Sequence, residues 1–215
     1  MLYIAVRDIL ANNAGDKLMD YARVEKFILE MLKKKLSDKL SYHNVRHTIE
    51  TVKAAAEFSR SEGLPEEEIT ILKTAALFHD SGYLRTPFDN ERIGMEIARD
   101  ILPEYGYTPD QIEKVCRLIL ATRMPQKPEN FGEQIICDAD LQYLGTDDYD
   151  NLSTLLRKEM SFYNIMFTDR DWLDFQINFL KNHRYFTQSC RQARDAGKAG
   201  HLKHLLEVKE SSGIK

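Results

Sequence analysis

Apolar residues along this chain recur three and four positions apart, the spacing of helices that bury one face, and nowhere do they alternate over the length of a strand. From Asp16 to Leu36 the stripe is Leu18, Tyr21, Val24, Phe27, Ile28, Met31 and Leu32, which predicts a long first helix. Val45, Ile49, Val52, Ala55, Ala56 and Phe58 predict a second over about 44–62, stopped by Gly63, Leu64 and Pro65. Pro65 followed by Glu66, Glu67 and Glu68 suits a helix start, because proline fits the first turn and carboxylates favour the positive end of the dipole. That third helix runs toward His79 and ends by Gly82. Further helices are expected over Asp89 to Leu102 and from Thr108 and Pro109 through Leu120. After a loop marked by Pro125, Pro128 and Gly132, helical period resumes around Ile135, then near Tyr149 to Tyr163, Asp169 to Asn182 and Gly200 to Glu210. The expected fold is all-α, a compact helical bundle in a single domain over residues 1–215.

Composition narrows the function classes. Thirty basic against thirty-four acidic residues leave a net charge of -4, so no global positive field exists to hold a nucleic-acid backbone. The longest uncharged apolar run, Thr74 to Phe78, falls far short of the roughly 20 residues of a membrane span, and a cytoplasmic protein is expected. Cys116, Cys137 and Cys190 are odd in number and widely spaced, which reads as free thiols rather than a disulfide framework. Trp172, Leu173, Phe175, Ile177, Phe179 and Leu180 suit a core, with a homodimer face as the alternative.

Three of the six histidines sit in arrangements that suggest chemistry. His43 and His47 are four apart, so a helix already running at His43 would point them the same way, as two metal ligands on one face must. Asn44 stands where a zinc protease needs its glutamate, which excludes that reading. His79 and Asp80 end a distinctly apolar helix, and an aspartate there must cap, pair or bind a metal, since burying it alone costs several kcal/mol. Asp138 and Asp140 likewise adjoin apolar residues, either as an N-cap with a first-turn acid or as ligands. Two imidazoles and two carboxylates suit one divalent cation: manganese, iron, cobalt, nickel, zinc or magnesium. His183, His201 and His204 read as solvated surface positions.

The order His47, then His79-Asp80, then Asp140, with 32 residues from His47 to His79 and 60 from Asp80 to Asp140, resembles the signature of the HD-domain superfamily of metal-dependent phosphohydrolases. The resemblance covers about residues 40–165. It implies His47, His79, Asp80 and Asp140 as ligands of one divalent metal ion, with Asp138 the local competitor for the last place. Tyr42-His43-Asn44 is similar to a segment of cyclic-nucleotide phosphodiesterases whose histidine protonates the leaving oxygen, which makes His43 a candidate general acid beside a structural alternative. Asp80 would also orient the nucleophile. Arg46, Arg85 and Arg123 are candidates to bind an anionic substrate, a small phosphorylated metabolite such as a nucleotide or cyclic nucleotide. Dinuclear relatives carry extra histidines between the His-Asp pair and the last aspartate. This chain has none from 81 to 182, so one metal is expected. The alternatives are a non-catalytic, metal-bound ligand-sensing domain and a di-iron oxygenase.

Overall fold

The computed structural model describes residues 19–211, and among them every regular element is helical. Nine α-helices follow one another: α1 (Tyr21–Lys35), α2 (Val45–Ser61), α3 (Glu66–Phe78), α4 (Asn90–Ile101), α5 (Pro109–Ala121), α6 (Phe131–Asp140), α7 (Tyr149–Phe162), α8 (Asp169–Asn182) and α9 (Gln188–Ser211). Short 3-10 turns at Ser81–Leu84, Leu102–Tyr105 and Gln142–Gly145 link some of them. No helix among the described residues is long and apolar enough to cross a membrane.

Local chemistry sets the helix starts. Asn44 Oδ1 accepts from the backbone N–H of Arg46 and His47, which begins α2 at Val45 and leaves His43 outside it. Thr108 and Gln111 form a reciprocal capping box at α5, and Asn130 accepts from the N–H of Glu133 at α6. The central element is α3, whose Ile71, Leu72, Ala75, Ala76, Leu77 and Phe78 are buried and which packs against α1, α2, α5 and α6. Each large side chain of this kind contributes about 1.5–3 kcal/mol when fully buried.

Several boundaries depart from the sequence reading. The first helix is seen from Tyr21, and the expected stretch from Asp16 to Leu18 lies outside the described residues. Phe27, expected on its buried stripe, is 43% exposed. Helix α6 begins at Phe131, so Gly132 belongs to its first turn rather than to the loop. The last helix begins at Gln188 and not near Gly200, because it buries only Cys190 and Leu205 and so writes no apolar stripe. Its Gly197 is needed where it stands: a Cβ there would overlap the Gly145 carbonyl, where α9 crosses the 3-10 turn after α6. Trp172, Leu173, Ile177 and Leu180 of α8 are buried in the core. All three cysteines are free and buried, and burial pushes their thiols up.

Candidate metal centre

Helix ends bring the four candidate ligands together. His47 lies in the first turn of α2, His79 caps the C-terminus of α3, Asp80 follows it, and Asp140 closes α6. His79 Nδ1 is 2.7 Å from the Ala76 carbonyl, an acceptor only, so that nitrogen carries a proton and Nε2 faces inward. The Nε2 atoms of His47 and His79 are 3.1 Å apart. His47 Nε2 is 3.3 Å from Asp80 Oδ2 and 3.2 Å from Asp140 Oδ1. His79 Nε2 is 3.0 Å from Asp80 Oδ2 and 3.4 Å from Asp140 Oδ1.

His47, His79 and Asp80 offer ligand atoms all within 4.8 Å of one another, a set that fits a divalent cation, while Asp140 meets the two imidazoles but falls outside that group. Bonds of about 2.0–2.2 Å at tetrahedral or octahedral angles put neighbouring donors roughly 2.8–3.5 Å apart. Asp80 Oδ2 is buried and, despite the nearby imidazole nitrogens, has no hydrogen bond of acceptable geometry. A buried acceptor without a donor calls for a positive charge beside it. Each carboxylate is aimed by an amide on its outer oxygen: Asn90 Nδ2 donates to Asp80 Oδ1 at 3.1 Å, and Gln126 Nε2 donates to Asp140 Oδ2 at 3.1 Å. Asn90 comes this close because α4 starts against Gly82, where a Cβ would overlap the Asn90 carbonyl.

The electrostatics agree. Burial would raise Asp80 and Asp140, yet the imidazoles outweigh it, holding Asp80 well below the usual carboxylate range and Asp140 at about 2. Burial would lower His47 and His79, yet the two carboxylates hold both above the ordinary histidine value. Protons on the imidazoles thus balance the carboxylates where a cation would otherwise do so.

Asp138 does not join them. It is fully buried and accepts from the N–H of Phe186 and Thr187, each at 2.8 Å, and from Thr187 Oγ1 at 2.7 Å. Two residues of helix turn a side chain by roughly 200°, so Asp138 faces the α8–α9 connection while Asp140 faces the imidazoles. Neither acid is at a helix start. Both sit in the last turn of α6, where the dipole disfavours carboxylates, which is why each needs strong partners.

His43 precedes the cap of α2, so the shared helical face expected for His43 and His47 does not exist. It reaches the same region another way. Its ring stacks on Tyr83 at 4.6 Å and lies 5.9 Å from the His47 ring. Its Nδ1 is 2.5 Å from Oε1 of Glu159, a residue only 2% exposed. The sequence reading missed Glu159, although it falls in step with Leu152, Leu155 and Leu156 on the inner side of α7.

The three arginines are exposed and already paired: Arg46 with Asp148 at 2.7 Å, Arg85 with Glu96 at 3.6 Å, and Arg123 with Asp89 at 3.4 Å. Arg46 also lines a cavity of about 250 Å³ that reaches His47 and Asp140 between Tyr42, Tyr143 and Arg194. Two histidines expected at the solvated surface are partly buried instead. His183 packs between Phe179 and Tyr185, and His201 stacks on Tyr149 with its Nε2 2.9 Å from the Thr146 carbonyl.

Residues 44–142 match the HD domain family model. No curated protein matches the chain. Among solved structures, a predicted HD superfamily hydrolase from an uncultured Thermotogales bacterium aligns with a TM-score of 0.60 at 17% identity, covering 87% of this chain and 92% of that one. Bacillus subtilis YpgQ in complex with ADP aligns with a TM-score of 0.65 at 14% identity over 90% of this chain and 97% of that one. YpgQ alone gives a TM-score of 0.67 at 13% identity over 91% and 99%. All four candidate ligands lie inside the matched segment, while His43 and Glu159 lie outside it.

Proposed function

Residues 44–142 are an HD domain, and on that premise we propose that the protein is a metal-dependent phosphohydrolase acting on a small phosphorylated molecule, a nucleotide or cyclic nucleotide. The observation that carries this reading is the cluster of ligand atoms from His47, His79 and Asp80, all within 4.8 Å of one another, with Asp140 Oδ1 3.2 and 3.4 Å from the two imidazoles and a buried Asp80 oxygen that has no hydrogen bond. One divalent cation held there supplies Lewis acidity, lowering the pKa of water and offsetting phosphoryl charge.

The chain's own residues do the rest. Asp80, fixed by Asn90, orients the attacking oxygen. His43 gives a proton to the leaving oxygen, and Arg46, Arg85 and Arg123 attract the anionic substrate by exchanging their present carboxylate partners for phosphate. The ADP bound by YpgQ favours a nucleotide as the substrate. The test is elemental analysis of the purified protein beside Asp80→Ala, followed by phosphate release from a panel of nucleotides and cyclic nucleotides with the metal found. About one divalent ion per chain, lost with Asp80, and phosphoester cleavage are expected. Two irons per chain, or no metal after reconstitution, would overturn the reading.

A further inference from the structure

Arg194 lines the cavity beside the metal centre, and no carboxylate holds it at hydrogen-bond distance. It comes from α9, outside the segment that matches the HD family. Its backbone lies directly against the 3-10 turn after α6, because Gly145 has no side chain there: a Cβ would overlap the Arg194 carbonyl. From that point the side chain crosses the turn. Its Nε donates to Gln142 Oε1 at 3.0 Å, and the guanidinium lies 5.8 Å from the centre of the Phe58 ring. Only 21% of the side chain is exposed. A guanidinium carries five N–H donors. One goes to Gln142 and one to the Ala193 carbonyl, and the rest have no hydrogen bond among the described residues. The carboxylate of Glu57, itself exposed, stands 3.9 Å away. The acids that line the cavity are engaged already: Asp148 with Arg46, Glu50 with Lys53, and Asp140 with the imidazoles. A clip that ties α9 to the turn needs only the Nε bond. Unused donors on a largely buried cation, facing a cavity that touches His47 and Asp140, call for an anion. At about 250 Å³ the cavity is smaller than the roughly 300–1,000 Å³ of sites that enclose a whole small ligand, so it has room for phosphate groups and not for a nucleoside beside them.

We infer that Arg194 is a substrate-binding residue whose guanidinium takes a second phosphate of the substrate, joined as a diphosphate to the one held at the metal centre. The inference rests on the phosphohydrolase reading and deepens it by naming the substrate class. The planar fork of an arginine matches two phosphate oxygens at once, and the free donors of Arg194 leave that fork open. A diphosphate fills both the metal end of the cavity and the arginine end. A cyclic nucleotide carries one phosphodiester charge, which the metal centre uses, and it leaves Arg194 without a partner. The last helix, which supplies no metal ligand, thereby selects diphosphates over cyclic nucleotides.

The experiment compares two inert probes that differ by one phosphonate, methylenediphosphonate and methylphosphonate, in calorimetric titrations of the full chain as purified. The wild-type protein should prefer methylenediphosphonate. Arg194→Met keeps an unbranched side chain over Phe58 and removes the charge. It should weaken methylenediphosphonate about 10–100-fold more than methylphosphonate, the scale of hydrogen bonds to a charged group. Arg194→Lys keeps a point charge without the fork and should retain part of the preference. A purely structural clip predicts that both probes weaken together or that neither does, and either result overturns the inference. Should Arg194→Met melt, Arg194→Lys decides: a reduced preference supports the inference and an unchanged one overturns it. In steady-state assays the same variants should raise KM for ADP more than for AMP, and the wild-type protein should turn over ADP in preference to cyclic AMP. Cyclic AMP as the better substrate overturns the inference and leaves the hydrolase reading intact. Hydrolysis of none of the three refutes the hydrolase reading, and the titrations then decide separately whether Arg194 binds a second phosphate.

Discussion

Acidification should weaken this fold through His183. Its ring is wedged between Phe179 and Tyr185, its Nε2 is buried without a partner, and the Lys198 ammonium stands 3.4 Å from Nδ1. Burial, and secondarily that ammonium, push its pKa from 6.5 down to about 4. The folded protein therefore holds the ring neutral while the unfolded chain binds a proton. The stability this represents is complete above pH 6.5 and is lost as pH falls toward 4. At about 1.36 kcal/mol per unit of pKa difference, the loss is about 2 kcal/mol at pH 5 and about 3 kcal/mol below pH 4. The perturbation is His183→Phe, which keeps the stacking and cannot be protonated. Lys198 retains its bond to the His183 backbone carbonyl at 2.8 Å, so at pH 7 the variant should lie within about 1 kcal/mol of wild type. The assay is urea unfolding of both proteins at pH 7 and pH 5 in matched buffers. Groups of the metal centre titrate in both proteins, so they cancel in the difference. The variant should gain about 2 kcal/mol on wild type between the two pH values. A difference independent of pH would refute the account of His183 as a buried neutral base.

Saturating the wild-type protein with its metal should raise stability by about 2.7 kcal/mol at 100 times the dissociation constant, and thermal melts of Asp80→Ala should show no such gain. Asp138→Asn places an amide against three donors, so it should cost roughly 2–4 kcal/mol in denaturant while metal per folded chain stays unchanged. Loss of the metal from the folded variant would contradict its placement away from the centre. Gly82→Ala must push back the start of α4 and with it the Asn90 amide, so calorimetric titration should show metal affinity lowered about 10–100-fold.

Much of the molecule is legible in its pattern, and the exceptions share a cause. Helices α2 to α8 follow from apolar stripes and caps written within a few residues of one another. His79 and Asp80 are conspicuous because they end a helix, α3, that is buried along its length. Asp138 and Asp140 could not be told apart locally, because their roles depend on residues 186 and 187 and on two distant imidazoles. Glu159 was lost for the same reason: its partners are 116 and 117 positions away. Two of the three histidines read as surface residues owe their burial to tertiary contacts, His183 on Lys198 and His201 on Tyr149. The long α9 escaped because its packing at Gly145 and Gly197 is backbone against backbone, which leaves no hydrophobic signature.

The hold that Asp138 has on residues 186 and 187 bears on the order of events at the ribosome. All four candidate ligands have been made once residue 140 is added, yet the carboxylate two positions before the last of them lacks these donors until Phe186 and Thr187 follow. A chain that has emerged only to the end of α8 carries that buried charge unpaired beside the centre, and the penalty opposes closing α6 onto α2 and α3. The connection between α8 and α9 contributes no ligand, but it decides when the others can settle, so a chain released or cut before Phe186 should fail to hold metal despite containing the whole HD segment.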